Sequence, residues 1–405
     1  MYHSNLLSVN EALEIINKTI KPTQKEVIDL YNGNSRVLAE ELQVKLDVPP
    51  FDRSAMDGYA VIASDLLTAS DSRHVSLKVV DEIGAGDVSE HVMKNGEAIR
   101  IATGAKMPVG ADAIVMEENV DLDGEKIFIK SPVEVNNDVA LKGEDLKTGE
   151  IILSVGQVLG PHHLSVIASA GYSKITVFKK PRIGVIITGN ELTEPTTELE
   201  PGMIINSNKY ALKGVIEDSL AVSFVKHCKD YAVELRSEVE AAVEAYDAVI
   251  TTGGTAISKG DLIVDIVESL GEVPVHGVAI KPGKPFGFGI IDGKPVFMLS
   301  GYPVAVAVQY DIFVRGSILK MQNINQILEY RNAVTESDIR SSTDKYNVIR
   351  ANFKGISGSV EPVKTKAGIN KSILMSNSYI IAEEGVGKIK KGDECRVLMY
   401  SSLKV

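Results

Sequence analysis

The chain is poor in cysteine: Cys228 and Cys395 are its only two in 405 residues. They stand in no metal-ligand spacing, so neither a disulfide framework nor a cysteine zinc site is expected. Long apolar runs are missing too. None reaches the ~20 residues a membrane span needs, and mean hydropathy is near zero at +0.05. Basic charge is in deficit, with 43 Lys and Arg against 54 Asp and Glu, a net charge of −11. That balance argues against non-specific nucleic-acid binding, which needs a basic surface. It leaves room for a small anionic ligand held by a few local lysines. The N-terminus carries Glu11 and Glu14 and has no basic n-region before an apolar h-region. It reads as an amphipathic helix rather than a secretion signal, and the cytoplasm is the expected compartment.

What is present fits a globular protein: 44% apolar and 24% charged residues. The length is too great for one ordinary core and implies about two to four domains. The first ~45 residues carry apolar positions at helical spacing, namely Leu13, Ile16 and Ile20, then Val27 and Leu30, then Val37, Leu38 and Leu42. "DVPPFDRSAMDGYAV" breaks that pattern with paired prolines. From Tyr59 to about Lys142 the chain reads as short strands between Gly and Asp turns, a compact β insertion. The stretch after Leu141 returns to helix and closes back on the N-terminal helices. From residue 181 strands alternate with helices, which means βαβ units around a mainly parallel sheet. The residues after 325 are strand-rich again and form a small β domain of their own.

In open parallel sheets ligands bind beyond the carboxyl ends of the strands. Three glycine-bearing turns belong there: "TGNE" (188–191), "TGGTAISKGD" (252–261) and "LSGYP" (299–303). Glycine lets backbone N–H groups approach an anion. The turn after Gly254 lacks the GxxxxGK[ST] pattern, which excludes a Walker loop, and it lacks GxGxxG, which leaves a dinucleotide fingerprint unsupported. A lone Gly-Gly turn is more often structural than functional; three on one sheet edge shift the balance towards a site. "IKPGKP" sets Lys281 and Lys284 about a Pro-Gly turn, either as an oxyanion holder or as a solvated hairpin turn. Asp52, Asp57, Glu144, Asp145, Glu191, Asp230 and Asp261 each read singly as turn, cap or surface acids. Several acids on separate loops near lysines would suit Mg²⁺ and a pyrophosphate. His162-His163 is adjacent on a helix, so the two rings do not face one another and read as structural.

Together, "VPPFDRSAMDGYAV", "RIATGAKMPVGADAIVMEE", "LKGEDLKTGEIIL", "VIITGNEL", "INSNKYALKGVIED", "TTGGTAISKGD", "AIKPGKPFGFG" and "LSGYPVAVAV", in that order, resemble the molybdopterin molybdenumtransferase family, the MoeA type. The resemblance runs over nearly the whole chain. It implies an α/β multidomain fold: a split helical dimerisation domain (1–47 and 143–180), a β insertion (48–142), a molybdopterin-binding α/β domain (181–325) and a C-terminal β barrel (326–405). It implies a homodimer whose clefts are lined by both chains. The implied substrates are adenylylated molybdopterin and molybdate; metal is placed on the dithiolene and AMP is released with Mg²⁺ assistance.

The same resemblance implies site roles. Asp57, Thr103, Asp145 and Glu191 match active-site residues, with Asp57, Asp145 and Glu191 as the metal-holding acids. Ser207, Asp230, Gly253, Gly254, Thr255, Ser258, Asp261, Ser300, Gly301 and Pro303 match the substrate site. Lys281 and Lys284 match oxyanion-holding lysines, and Arg350 and Ser372 match residues from the last domain. Lysine and arginine charge would neutralise molybdate and phosphate. Carboxylates would position Mg²⁺ where charge develops as AMP leaves. Two motifs depart from the family. "GGTAIS" stands for the usual "GGVS" type, with Ala256 where a serine is usual; "LSGYPVA" stands for "LPGNPVS". Two readings follow: a molybdenum-inserting transferase, or a non-catalytic molybdopterin-binding or scaffolding paralogue of the same fold.

Overall fold

A computed structural model describes residues 6–254, 261–324, 330–363 and 369–400. The chain opens with α1 (Val9–Thr19). Ser8 and Glu11 form a reciprocal capping box: Ser8 Oγ accepts from Glu11 N at 3.3 Å, and Glu11 Oε2 accepts from Ser8 N at 2.8 Å. Val9, Ala12 and Ile16, spaced for one helical face, are buried in the core of the α/β unit.

The helices expected from the apolar spacing between about residues 25 and 45 do not form. Lys25–Asp29 is a strand, antiparallel to Lys174–Phe178, and Leu30–Asn32 is a single 3₁₀ turn. Leu42–Gln43 pairs with Ile151–Leu153. The physical reason lies in local chemistry. Val27 is 65% exposed, so the apolar positions never formed one stripe. "NGNS" then stops any helix, with Ser35 at φ 57°. Between 25–48 and 143–180 the described residues hold one α-helix, α2 (Pro161–Ser169), so that unit is largely strand pairs and loops. His163 Nδ1 accepts from Gly160 N at 3.0 Å, closing the start of α2.

The insertion is a six-stranded sheet in the order Ala113–Met116, Gly58–Val61, Glu97–Ile101, Val75–Ile83, Lys126–Ile129, Val120–Asp123. A Cβ on Gly58 would lie 2.2 Å from Val115 O, so glycine is required for its strand to pair this closely.

The α/β unit contains β1 (Arg182–Thr188), β2 (Val222–Cys228), β3 (Ala248–Thr252), β4 (Glu272–His276), β5 (Gly287–Ile291) and β6 (Lys294–Leu299). Their order is β2-β1-β3-β6-β5-β4. The pairs β1–β2, β1–β3 and β3–β6 are parallel; β5–β6 and β4–β5 are antiparallel. Asp292 and Gly293, both at positive φ, make the tight β5–β6 hairpin. The helices are α3 (Ser207–Asp218), α4 (Ala232–Ala245), α5 (Leu262–Leu270) and α6 (Pro303–Gln309). Alternation along β1 divides its side chains between layers. Ile183, Val185 and Ile187 join the core under α1 and α3, while Ile186 joins the core under α4 and α5. Burial on both faces explains why these strands read as unbroken apolar runs.

The last unit is a closed barrel. Tyr346–Lys354 pairs with Ser359–Pro362 on one side and Ser378–Ala382 on the other. Tyr330–Thr335 and Glu394–Met399 complete the ring. Val348, Tyr379, Ile381 and Leu398 belong to the same apolar cluster as β1 and α6, so barrel and α/β unit share one core.

Candidate functional site

The carboxyl ends of β1, β3 and β6 meet at one cleft. Gly253, at φ 90°, lets the turn after β3 fold onto β1: a Cβ there would sit 2.3 Å from Thr188 O. A Cβ on Gly301 would sit 3.6 Å from Gly253 Cα, so the turn after β6 packs on the turn after β3. The cleft holds about 430 Å³, and Thr188, Glu191, Asn208, Asp230, Gly254 and Tyr302 are among its walls. It lies where the strand order reverses between β1 and β3, the usual ligand crevice of such sheets.

The first turns of two helices open on it. Asn206 caps α3 by accepting from Lys209 N at 3.2 Å; Ser207 is the first, exposed helical residue. Asn208 donates from Nδ2 to Gly301 O at 2.8 Å, joining α3 to the turn after β6. Pro303 begins α6. Helix N-termini with free N–H groups favour anions.

Asp230 is committed to shaping the wall. Its Oδ1 accepts from Thr188 Oγ1, and its Oδ2 from Asn190 N at 3.2 Å. Glu191, one residue on, is exposed. Asp261 is the buried N-cap of α5, its Oδ1 accepting from Val264 N at 3.4 Å. Thr255, Ala256 and Ser258 lie outside the described residues.

The lysine loop is no solvated hairpin. Ile280–Lys281 pairs in parallel with Tyr346 and Asn347 of the barrel, and the loop runs on to Pro285, a cleft wall residue. Lys281 and Lys284 are exposed along it. Ser300 is buried; its N and Oγ donate to Gln309 Oε1 at 2.9 and 3.0 Å.

Two expected contributors sit apart from the cleft. Arg350 is 8% exposed, opposite Tyr379 in the barrel ladder, and burial pushes its guanidinium pKa down. Ser372 is fully buried and its hydroxyl donates to Ile369 O within its own turn.

A second cluster lies on the insertion. Asp57 Oδ1 accepts from Thr103 N at 2.7 Å and from Thr103 Oγ1 at 2.9 Å. Those bonds, with a smaller contribution from the Arg100 charge, hold its carboxyl below the usual range. Asp145 N donates to Val48 O at 3.0 Å, which ties its exposed loop to the entry of the same segment. None of residues 48–146 is among the cleft walls. Among the described residues no group of three or more His, Cys, Asp or Glu is placed to hold a metal. Asp57, Asp145 and Glu191 are therefore not brought together within one chain.

Sequence reasoning missed Asn208, Tyr302 and Gln309. Asn208 and Tyr302 stood inside motifs already singled out; Gln309, a single polar residue in an apolar run, carried no local signal.

Residues 7–171 match the model of the MoeA N-terminal region (domains I and II), and residues 184–320 match that of a probable molybdopterin binding domain. The chain is 37% identical over 377 residues to a putative molybdopterin biosynthesis protein of Methanocaldococcus jannaschii, covering 90% of each. It is 33% identical over 407 residues to a molybdopterin molybdenumtransferase of Staphylococcus aureus (strain COL), covering 98% of this chain and 96% of the relative. A crystal structure of a molybdopterin biosynthesis MoeA protein from Pyrococcus horikoshii superposes with a TM-score of 0.83 at 32% identity, covering 98% of this chain and 100% of the other. With these matches spanning the cleft and the insertion alike, the chain belongs to the molybdopterin molybdenumtransferase (MoeA) family.

Proposed function

We propose that this chain works as a homodimer that inserts molybdate into adenylylated molybdopterin and releases AMP. The observation that carries the reading is the division of the functional groups. A glycine-walled cleft with two helix N-termini lies on the α/β sheet, and an ionised Asp57 fixed by Thr103 lies on the insertion, outside the cleft wall. A two-fold partner would present its insertion to this cleft, so each site would draw on both chains.

In this reading, backbone N–H groups at Gly253, Gly254 and the first turns of α3 and α6 receive the pterin phosphate. Lys281 and Lys284 neutralise molybdate as point charges. Asp57, Asp145 and Glu191 are exposed oxygen donors, and Asp57 is held ionised by its bonds to Thr103. Such a set fits Mg²⁺, which takes one or two carboxylates and fills its shell with phosphate oxygens and water. When bound, the ion supplies positive charge at the pyrophosphate as AMP leaves. Asp230 keeps the turn after β1 in place and Asp261 keeps α5 in place; neither needs to touch the ligand to matter.

The test supplies purified protein with adenylylated molybdopterin, Mg²⁺ and molybdate. Molybdate-dependent AMP release is expected. A folded dimer that releases none overturns the reading.

One observation favours the paralogue alternative. Serines usual in the two family motifs are replaced by Ala256 and Ala305, and the Ser300 hydroxyl is not free to stand in for them because it donates to Gln309. A scaffolding protein would bind molybdopterin in calorimetry and release no AMP when molybdate is added.

A further inference from the structure

Gln309 is the last residue of α6, is 0% exposed, and has every polar atom of its side chain engaged. Its Oε1 accepts from Ser300 N at 2.9 Å and Ser300 Oγ at 3.0 Å, and its Nε2 donates to Gly283 O at 2.8 Å. Two donors on one side and a carbonyl on the other fix the amide's orientation. Gly283 is shaped to receive it: at φ 104°, a Cβ there would lie 2.9 Å from Gln309 Cγ.

These bonds join two parts of the cleft that are far apart in sequence. Ser300 leads into Gly301 and Tyr302, which form the wall below α6. Gly283 lies between Lys281 and Lys284, on the loop ending at wall residue Pro285. The other end of that loop is held by the barrel through Ile280 and Lys281. Gln309 thus sets the spacing between the lysine loop and the glycine turn. It also makes sense of serine at 300. A proline there would offer neither N–H nor hydroxyl, and a fully buried acceptor would lose both partners.

We infer that Gln309 is a positioning residue: its clasp on Ser300 and Gly283 sets the anion-binding end of the cleft. The inference rests on the cleft taking molybdopterin as proposed above. It predicts that the Ser300 and Gln309 side chains act as one unit.

The test compares wild type, Gln309→Leu and Ser300→Ala. Metal-free molybdopterin is titrated by calorimetry, AMP-release kinetics are followed, and hydrogen exchange is read over 281–286 and 299–303. Gln309→Leu removes all three bonds, and affinity should fall roughly tenfold or more, with faster exchange in both segments and an unchanged barrel. Ser300→Ala removes one bond and keeps the fold; affinity should fall about fivefold, with KM for adenylylated molybdopterin rising more than kcat falls. Should Gln309→Leu fail to fold, Ser300→Ala carries the test alone. Faster exchange with unchanged affinity and KM would make Gln309 a core residue only and overturn the inference. Wild type that binds no molybdopterin would instead remove the function on which the inference rests.

Discussion

Asp57 is bonded twice by a single residue, Thr103, through both its backbone N–H and its hydroxyl, and both bonds fall on Oδ1. The turn that makes this geometry follows the strand Glu97–Ile101, with Gly104 at φ 84°. The pair is exposed and contributes little to packing, so its conformation serves the carboxylate itself.

Asp57→Asn should therefore leave the melting temperature near wild type and lower the rate of AMP release roughly 100-fold or more. Thr103→Val should act through pH. The bonds from Thr103 hold the Asp57 carboxyl low, so in wild type it stays ionised as pH falls below the usual carboxylate range. The larger effect, the bond from the backbone N–H of residue 103, survives the substitution; losing the hydroxyl bond lets the pKa rise part of the way, and the acid limb of the pH–rate profile should move to higher pH. A profile measured from pH 4 to 8 checks the direction; an unmoved limb would detach Asp57 ionisation from turnover.

Gly253 gives a sharper structural prediction. Its φ of 90° and the 2.3 Å approach to Thr188 O leave no room for a side chain. Gly253→Ala should cost about 2 kcal/mol or more in urea unfolding. It should also abolish molybdopterin binding at concentrations where the fold persists. Gly254→Ala, at φ 64° with its nearest neighbour at 3.7 Å, should be milder on both measures.

Buried phenols set the alkaline limit of the fold. Burial raises the pKa of Tyr310, Tyr346 and Tyr379, and pushes Tyr400 up to about 12. An unfolded tyrosine titrates near about 10. A folded pKa above the unfolded one means stability is fully present below pH ~10 and is lost as pH rises towards the folded values. The urea midpoint should be flat through neutral pH and decline above pH ~10. Tyr310 also donates to Val215 O at 2.8 Å, at the carbonyl end of α3. Tyr310→Phe should cost roughly 1–2 kcal/mol at pH 7 and leave ligand affinity unchanged.

Much of the α/β unit was legible because its signals are local. Asn206 before α3, Pro303 at the start of α6, and Asp292-Gly293 in the β5–β6 hairpin each act within a few residues. The three glycine turns on one sheet edge were legible too, since their place follows from strand alternation. What escaped depends on partners far along the chain. Lys25–Asp29 became a strand because Lys174–Phe178 lies beside it, a partner no local pattern announces. Lys281 was read within its own turn, whereas its backbone pairs with the barrel at Asn347. Gln309 is invisible for the same reason: its meaning lies wholly in Ser300 and Gly283. Asp57, Asp145 and Glu191, the acids proposed above to hold Mg²⁺, stand on separate elements and form no metal-holding group among the described residues of one chain, so no local pattern joins them.

If cleft and insertion act together across two chains, as proposed, mixing of defective subunits should restore activity. Asp57→Ala and Glu191→Ala chains are each inactive in the account. Unfolded together and refolded at equal amounts, they form mixed dimers in which one site carries both defects and the other carries none. AMP release with adenylylated molybdopterin, Mg²⁺ and molybdate should return to about a quarter of the wild-type rate. If the mixture forms dimers yet stays as inactive as either parent, the site is not shared between chains and the account is contradicted.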